Sequence, residues 1–150
     1  MYKDEIFYGI KPRNMLKIAL FDVKYQYNQI LAEKNTAFYS NCDYHLVTIM
    51  DKAVVSCVSS GKVIGLSKIN PIVHYKATIS LVQERLTNQI ANKLQTILST
   101  EDVAVNIDAK KRCVSSGGIR DGTMATVTSF FEDSLSRPRK FTELQNYLKD

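Results

Sequence analysis

A cysteine and a histidine three positions apart, Cys42 and His45, are the residues of this chain best suited to chemistry. A thiolate and an imidazole at this spacing are typical of one half of a zinc site. The same spacing also arises by chance, so a distant third ligand is needed before the pair predicts a metal. Cys57 belongs to the alternating series Ala53, Val55, Cys57, and we predict that it is a small buried core residue.

The composition predicts one domain over residues 1–150. With 150 residues, 45% of them apolar, the chain has enough hydrophobic side chains for a core. No apolar run is long enough to cross a bilayer, and Met1 to Glu5 are too charged for a signal peptide, so we expect a cytoplasmic protein with no membrane partner. Three widely spaced cysteines, an odd number, argue against a disulfide framework. A net charge of +5, without aromatic residues among the basic clusters, does not favour nucleic acid as a partner.

Alternating apolar residues predict the strands that must position these side chains. A strand whose last residues are Thr36–Tyr39 would place Cys42 at a sheet edge. A turn is predicted at Asp51 and Lys52, inside a hairpin. Residues 14–32 fit helix and strand equally well and stay open. The other predicted strands are Leu46–Met50, Ala53–Val58, a short piece at Val63 and Ile64, Val103–Asp108 continued by Cys113–Ser116, and Thr123–Phe131.

Apolar residues at spacings of three and four predict a long helix within residues 78–100. Gln83 and Glu84 fall in its first turn, where the helix dipole favours a carboxylate even without a functional role. Ser67 is predicted to be the N-cap of a preceding helix that has Pro71 in its first turn. A last helix is predicted from Arg139 to Leu148. The predicted order of elements is strands, two helices, further strands and a last helix. This order predicts an α+β protein with an antiparallel sheet.

Four stretches, in order, resemble the GTP cyclohydrolase I family. They are Phe38–Val47, Val63–Asn70, Val82–Ile90, and Cys113–Ser116 together with Gly118–Thr123. The similarity runs from about Asp4 onward and does not include the family's N-terminal helical region, so we expect a diverged, N-terminally short homologue. The resemblance implies the T-fold, an antiparallel sheet backed by two long helices. It also implies a homo-oligomeric ring, pentamer then decamer, with active sites between subunits.

The resemblance also supplies the third metal ligand. It implies a zinc ion held by Cys42, His45 and Cys113, with a fourth position for a water whose pKa the metal lowers. In the family that water attacks C8 of the guanine ring. The residues that match the family's guanine-reading pair are Gln83 and Glu84. Those that match its phosphate site are Ser67 and Lys68.

This chain departs from the family where protons are transferred and phosphates are bound. Tyr44 and Lys111 replace two catalytic histidines of the family, and unperturbed tyrosine and lysine side chains are poor substitutes for an imidazole because they titrate near pH 10. Pro71 and Gly117 stand where the family has phosphate-binding arginines. Each lost guanidinium removes charge-assisted hydrogen bonds of about 1.5 to 3 kcal/mol.

Three functions of different class are consistent with this pattern. The first is a zinc pseudoenzyme that binds, and thereby sequesters, a guanine-type nucleotide at subunit interfaces, with the full conversion of GTP to 7,8-dihydroneopterin triphosphate impaired or lost. The second is an active zinc hydrolase that opens a purine imidazole ring by attack at C8. The third is a regulatory subunit that assembles with an intact homologue.

Overall fold

The computed structural model describes residues 2–11, 20–22, 29–58, 61–79, 82–117 and 120–149. A four-stranded antiparallel sheet in the order β2-β3-β5-β6 is accompanied by a two-stranded sheet of β1 and β4. The strands are β1 (Leu20–Asp22), β2 (Ile30–Asn41), β3 (Thr48–Val58), β4 (Lys62–Ile64), β5 (Val103–Lys111) and β6 (Thr126–Phe131). The helices are α1 (Leu66–Ala77), α2 (Gln83–Leu98), α3 (Arg112–Ser116) and α4 (Pro138–Leu148), with short helical turns at Tyr2–Ile6, Tyr8–Ile10 and Asp133–Ser136.

Two long helices, α1 and α2, cover one face of the large sheet. The predicted stripe of α2 is buried at Leu86, Ile90, Leu94 and Leu98, and the helix lies against β5 and β6. Full burial of each of these side chains contributes about 1.5 to 3 kcal/mol. The predicted α+β class, with an antiparallel sheet backed by two long helices, is confirmed.

Among the described residues, the opposite face of the sheet is covered at one end only. There Leu144 of α4 and Leu135 pack on a small cluster formed with Ile30, Val58 and Ala104. Near the other end of the sheet, the side chains of Tyr39 and Met50 remain exposed in the single chain.

The predicted turn at Asp51 and Lys52 is wrong. β3 runs without interruption, and Asp51 pairs with Phe38 of β2 on one side and with Ala109 of β5 on the other. Pairing on both sides satisfies the backbone of β3 and overrides the turn preference of an aspartate. The hairpin turn lies earlier instead, between Asn41 and Thr48.

Two other boundaries differ from the prediction. Ser67 is not the N-cap, because Gly65 occupies that place in an extended conformation, no side chain caps the helix, and Pro71 lies inside α1 beyond its first turn. Cys113–Ser116 forms a helix rather than a strand. β5 loses its partners at this point, since its pairing with β3 ends at Lys111 and its pairing with β6 ends at Ala109.

Several sequence predictions fall partly on residues that the structure does not describe. Within residues 14–32, the choice between helix and strand is answered only where β1 and the start of β2 are described, and both are strands. Ser59, Ser60, Gly118 and Ile119 also lie outside the described residues. Among the described helices, none has the length and apolar character needed to span a membrane.

Candidate functional site

A tight turn between β2 and β3 brings Cys42 and His45 together. The N–H of Cys42 donates to the carbonyl of Val47 at 3.0 Å, and the N–H of Leu46 donates to the carbonyl of Cys42 at 2.8 Å. Leu46 adopts a left-handed backbone with φ of 52°, which costs a branched residue about 1 kcal/mol. The turn places the Nδ1 atom of His45 3.6 Å from the Sγ atom of Cys42.

Cys113 reaches the same place from the short helix α3. The donor atoms of Cys42, His45 and Cys113 all lie within 4.8 Å of one another, so the three predicted metal ligands are brought together. A tetrahedral zinc ion with ordinary bond lengths separates its ligand atoms by about 3.5 to 3.8 Å. The donor set and its spacing therefore fit zinc after a small inward movement of the side chains.

The charges at this cluster also favour a cation. Burial raises the pKa of the Cys113 thiol, and the adjacent Cys42 raises it further. A thiol that resists ionising beside a second thiol ionises readily when it binds a metal ion. Cys57, in contrast, lies in the main core, where burial raises the pKa of its thiol to about 11, and its predicted role as a core residue is confirmed.

Glu84 and Lys111 form an ion pair. Lys111 lies two positions before the metal ligand Cys113 in the sequence. The Nζ atom of Lys111, at the end of β5, lies 3.9 Å from the Oε1 atom of Glu84, in the first turn of α2. The Glu84 side chain is 62% exposed and the Lys111 side chain 24% exposed. The carboxylate is thus open to a ligand, while the ammonium is partly enclosed.

Gln83 fixes the start of α2 on the sheet. Its side-chain amide donates to the carbonyl of Ile107 at 3.2 Å and to that of Thr126 at 2.8 Å. One turn later, the hydroxyls of Thr87 and Thr128 lie 2.7 Å apart. These contacts hold Glu84 beside β5. The Oε1 atom of Gln83 is buried and has no hydrogen-bond partner.

The remaining predicted site residues are exposed and less closely connected. The Tyr44 side chain is 80% exposed, and its ring meets the ring of His45 edge-on with centroids 6.5 Å apart. Ser67 and Lys68 lie exposed in the first turn of α1. No hydrogen bond or ion pair joins them to the other predicted site residues in the part of the chain that is described.

Asp51 is a residue near this site that sequence reasoning missed. It is only 6% exposed, and its Oδ1 atom has no hydrogen-bond partner. Burial and the charge of Asp108 raise the pKa of Asp51 to about 7, although Lys111 and a hydrogen bond from the Lys110 backbone oppose this rise. The sequence contained a signal for this buried carboxyl group. Ile49, Asp51 and Ala53 are alternate residues of one strand and face the core together, and the middle one is an aspartate.

The raised pKa of Asp51 predicts a loss of stability as the pH rises. The folded protein holds the Asp51 proton more tightly than the unfolded chain, so this stabilisation is complete below about pH 4 and is lost as the pH passes through 7. We expect Asp51→Asn to remove a pH-dependent contribution on the order of 3 to 4 kcal/mol. Urea denaturation of both proteins between pH 5 and pH 8 tests this, and a difference between them that is independent of pH would contradict it.

Comparison with known proteins identifies relatives along nearly the whole chain. The family model described as GTP cyclohydrolase I matches residues 1–148. The chain is 48% identical over 149 residues to GTP cyclohydrolase 1 of Flavobacterium johnsoniae, covering 99% of this chain and 67% of that protein. GTP cyclohydrolase 1 of Vibrio vulnificus is 46% identical over 129 residues, covering 86% of this chain and 59% of the relative. Among solved structures, dihydroneopterin aldolase of Burkholderia thailandensis bound to guanine matches with a TM-score of 0.45 at 17% identity, covering 70% of this chain and 92% of that one.

Proposed function

Because the chain belongs to the GTP cyclohydrolase I family, we propose that it binds zinc and a guanine-type nucleotide without completing the conversion of GTP to 7,8-dihydroneopterin triphosphate. The ion pair of Lys111 with Glu84 is the observation that carries this proposal. It places a lysine side chain where the family resemblance implies an imidazole, 3.9 Å from the carboxylate that is expected to bind the base. We further propose that the protein is cytoplasmic.

Cys42, His45 and Cys113 are the residues that would hold the zinc ion. Bound there with three protein ligands, zinc would supply a Lewis acid and lower the pKa of a water molecule. The chain itself contributes the geometry, since the 42–47 turn and α3 bring the three donor groups together from distant parts of the sequence.

Glu84 is suited to bind the guanine base. An ionised carboxylate accepts two parallel N–H donors, and guanine presents two such donors on one edge. The hydrogen bonds of Gln83 to two strands hold the first turn of α2 in place, so the carboxylate needs little further ordering. The open exposure of Glu84 leaves room for a ligand.

The groups that would transfer protons are missing from the two places where the family has them. General acid–base catalysis near neutral pH needs a group with a pKa close to the working pH. Lys111 is paired with a carboxylate, and Tyr44 points largely into solvent. With Pro71 and Gly117 in place of phosphate-binding arginines, the nucleotide that binds need not carry a linear triphosphate.

We propose that the functional unit is a homo-oligomeric ring, pentameric or decameric, with the nucleotide bound between subunits. β2 and β6 are the outer strands of the large sheet in the described chain, and each leaves one edge without a strand partner. A closed ring would pair such edges and remove a route to aggregation. Light scattering tests this proposal, and a monomer would reject it.

Replacing Glu84 with alanine is expected to weaken guanosine binding about tenfold or more, because the N–H donors of the base would lose their acceptor. Isothermal titration calorimetry measures the affinity, and light scattering checks that the assembly is unchanged. Glu101→Ala is the matched control, since Glu101 is exposed in the loop that follows the far end of α2 and should leave the affinity unaltered. Equal affinity of the Glu84→Ala variant and the wild type would reject Glu84 as the base reader.

The complete Cys-His-Cys cluster favours a second candidate, a zinc hydrolase that still opens the purine imidazole ring. The two functions differ in what becomes of the ligand. After incubation with a panel of purine nucleotides, a thermal shift with unchanged ligand mass supports binding alone. A mass gain of one water identifies ring opening and favours the hydrolase.

A further inference from the structure

Lys111 lies between two carboxyl groups of different character. Its ammonium is 3.9 Å from Glu84, which is largely exposed. Its charge also acts on the buried Asp51, whose pKa it lowers. One ammonium thus has two available partners, one exposed at the surface and one buried in the interior.

The sheet register explains how both partners come within reach. Lys111 pairs with Ile49, and Asp51 pairs with Ala109, so Asp51 and Lys111 are diagonal neighbours on adjacent strands. Diagonal neighbours on one face lie about 7 to 8 Å apart at Cα, a distance that a lysine side chain can bridge. Asp51 has a buried oxygen, Oδ1, without a hydrogen-bond partner, so it can accept a donor.

The proposed binding of guanine creates a conflict at Glu84. A base that binds Glu84 through two N–H donors competes with the Lys111 ammonium, which lies 3.9 Å from Oε1 and makes no hydrogen bond to it. A base bound at Glu84 would also limit the access of water to the neighbouring Lys111 ammonium, which is already only 24% exposed. An ammonium shielded in this way needs another acceptor, because an unpaired buried charge is costly.

We propose that Lys111 determines ligand specificity by exchanging partners, leaving Glu84 for Asp51 when a ligand with two adjacent N–H donors occupies Glu84. Asp51 is then a positioning residue that receives the ammonium. This inference rests on the proposed binding of a guanine-type ligand at Glu84. It deepens that function, since only a ligand that replaces the ammonium with its own donors fits the site, and adenosine lacks such a pair of donors.

Calorimetry with guanosine tests the exchange by a double-mutant cycle. We expect Asp51→Asn to weaken binding about fivefold or more in the wild-type background, the lower end of ordinary coupling between sites. In a Lys111→Met background, the same substitution should have no effect on affinity. Glu143→Gln is the control, an exposed carboxylate on α4 at the other end of the sheet that should leave the affinity unchanged. If Asp51→Asn lowers the affinity for guanosine equally in both backgrounds, the role of Asp51 is merely structural and the proposal is overturned.

A crystal structure of the ligand-free Glu84→Gln variant provides a second test that needs no ligand. With the outer carboxylate neutralised, the Nζ atom of Lys111 should lie within hydrogen-bonding distance of the Asp51 carboxylate. An ammonium that points into solvent instead would overturn the exchange. If guanosine binds to none of the variants, the proposed function fails, while this structure still decides whether Lys111 can change partners.

Discussion

Replacing Cys113 with serine is expected to remove zinc from the protein. Cys113 is the one ligand that comes from outside the 42–47 turn, and a serine hydroxyl does not ionise near neutral pH to replace a thiolate. We expect about one zinc per chain in the wild type and a loss of affinity of more than about a hundredfold in the variant. Metal analysis of freshly purified, reduced and desalted protein measures both.

Cys57→Ala is the matched control for the metal site. Cys57 is buried among core residues and is not part of the metal cluster, so this variant should keep its zinc while losing some stability. A wild-type protein without zinc, with its thiols reduced, would reject the metal centre. A Cys113→Ser variant that retains the full amount of zinc would reject the ligand assignment.

The wild-type protein is expected to form no pterin from GTP, whereas a Tyr44→His/Lys111→His variant should form it at a measurable rate. Each general acid or base in an active site contributes about 10² to 10⁴ in rate, and the double substitution returns imidazoles to both positions. Pterin fluorescence follows the reaction. GTP cyclohydrolase 1 of Flavobacterium johnsoniae serves as the positive control.

The double variant with Cys113 also replaced by serine should lose any activity that the histidines restore, because the metal ligand set is then incomplete. Rapid pterin formation by the wild type, at a rate similar to that of the Flavobacterium protein, would contradict the proposed loss of the reaction. In that case Lys111 and Tyr44 would be acceptable replacements for imidazole, and the protein would be an enzyme that completes the whole reaction.

The sequence predicted the metal ligands and the main helix because each depends on local spacing or on a family pattern. Cys42 and His45 lie on one turn, and the stripe from Leu86 to Leu98 follows the helical period. The prediction that Cys113 lies near this pair came from the family resemblance. Residues so distant in sequence give no local signal of contact.

The errors fall where tertiary pairing outweighed local preference. Asp51 resembles a turn residue when read with Lys52, yet strands on both sides hold it in the middle of β3. Cys113 to Ser116 resembles a strand, yet the neighbouring strands end before it and the chain forms a helix. The ion pair between Lys111 and Glu84 was also unforeseen, because it depends on how the start of α2 docks against the end of β5.

The position of the metal ligands also bears on how the chain folds. Cys42 sits at the tip of the first long hairpin and Cys113 follows the end of β5, about 70 residues later. A zinc ion between them would act as a reversible cross-link that closes a long loop, and such links restrict the unfolded chain most when the loop is long. The ion would thus fasten the β2–β3 hairpin to β5 at the open end of the sheet, opposite the end that α4 covers. Removing the metal would loosen that end first, and with it the place where Lys111 and Glu84 meet.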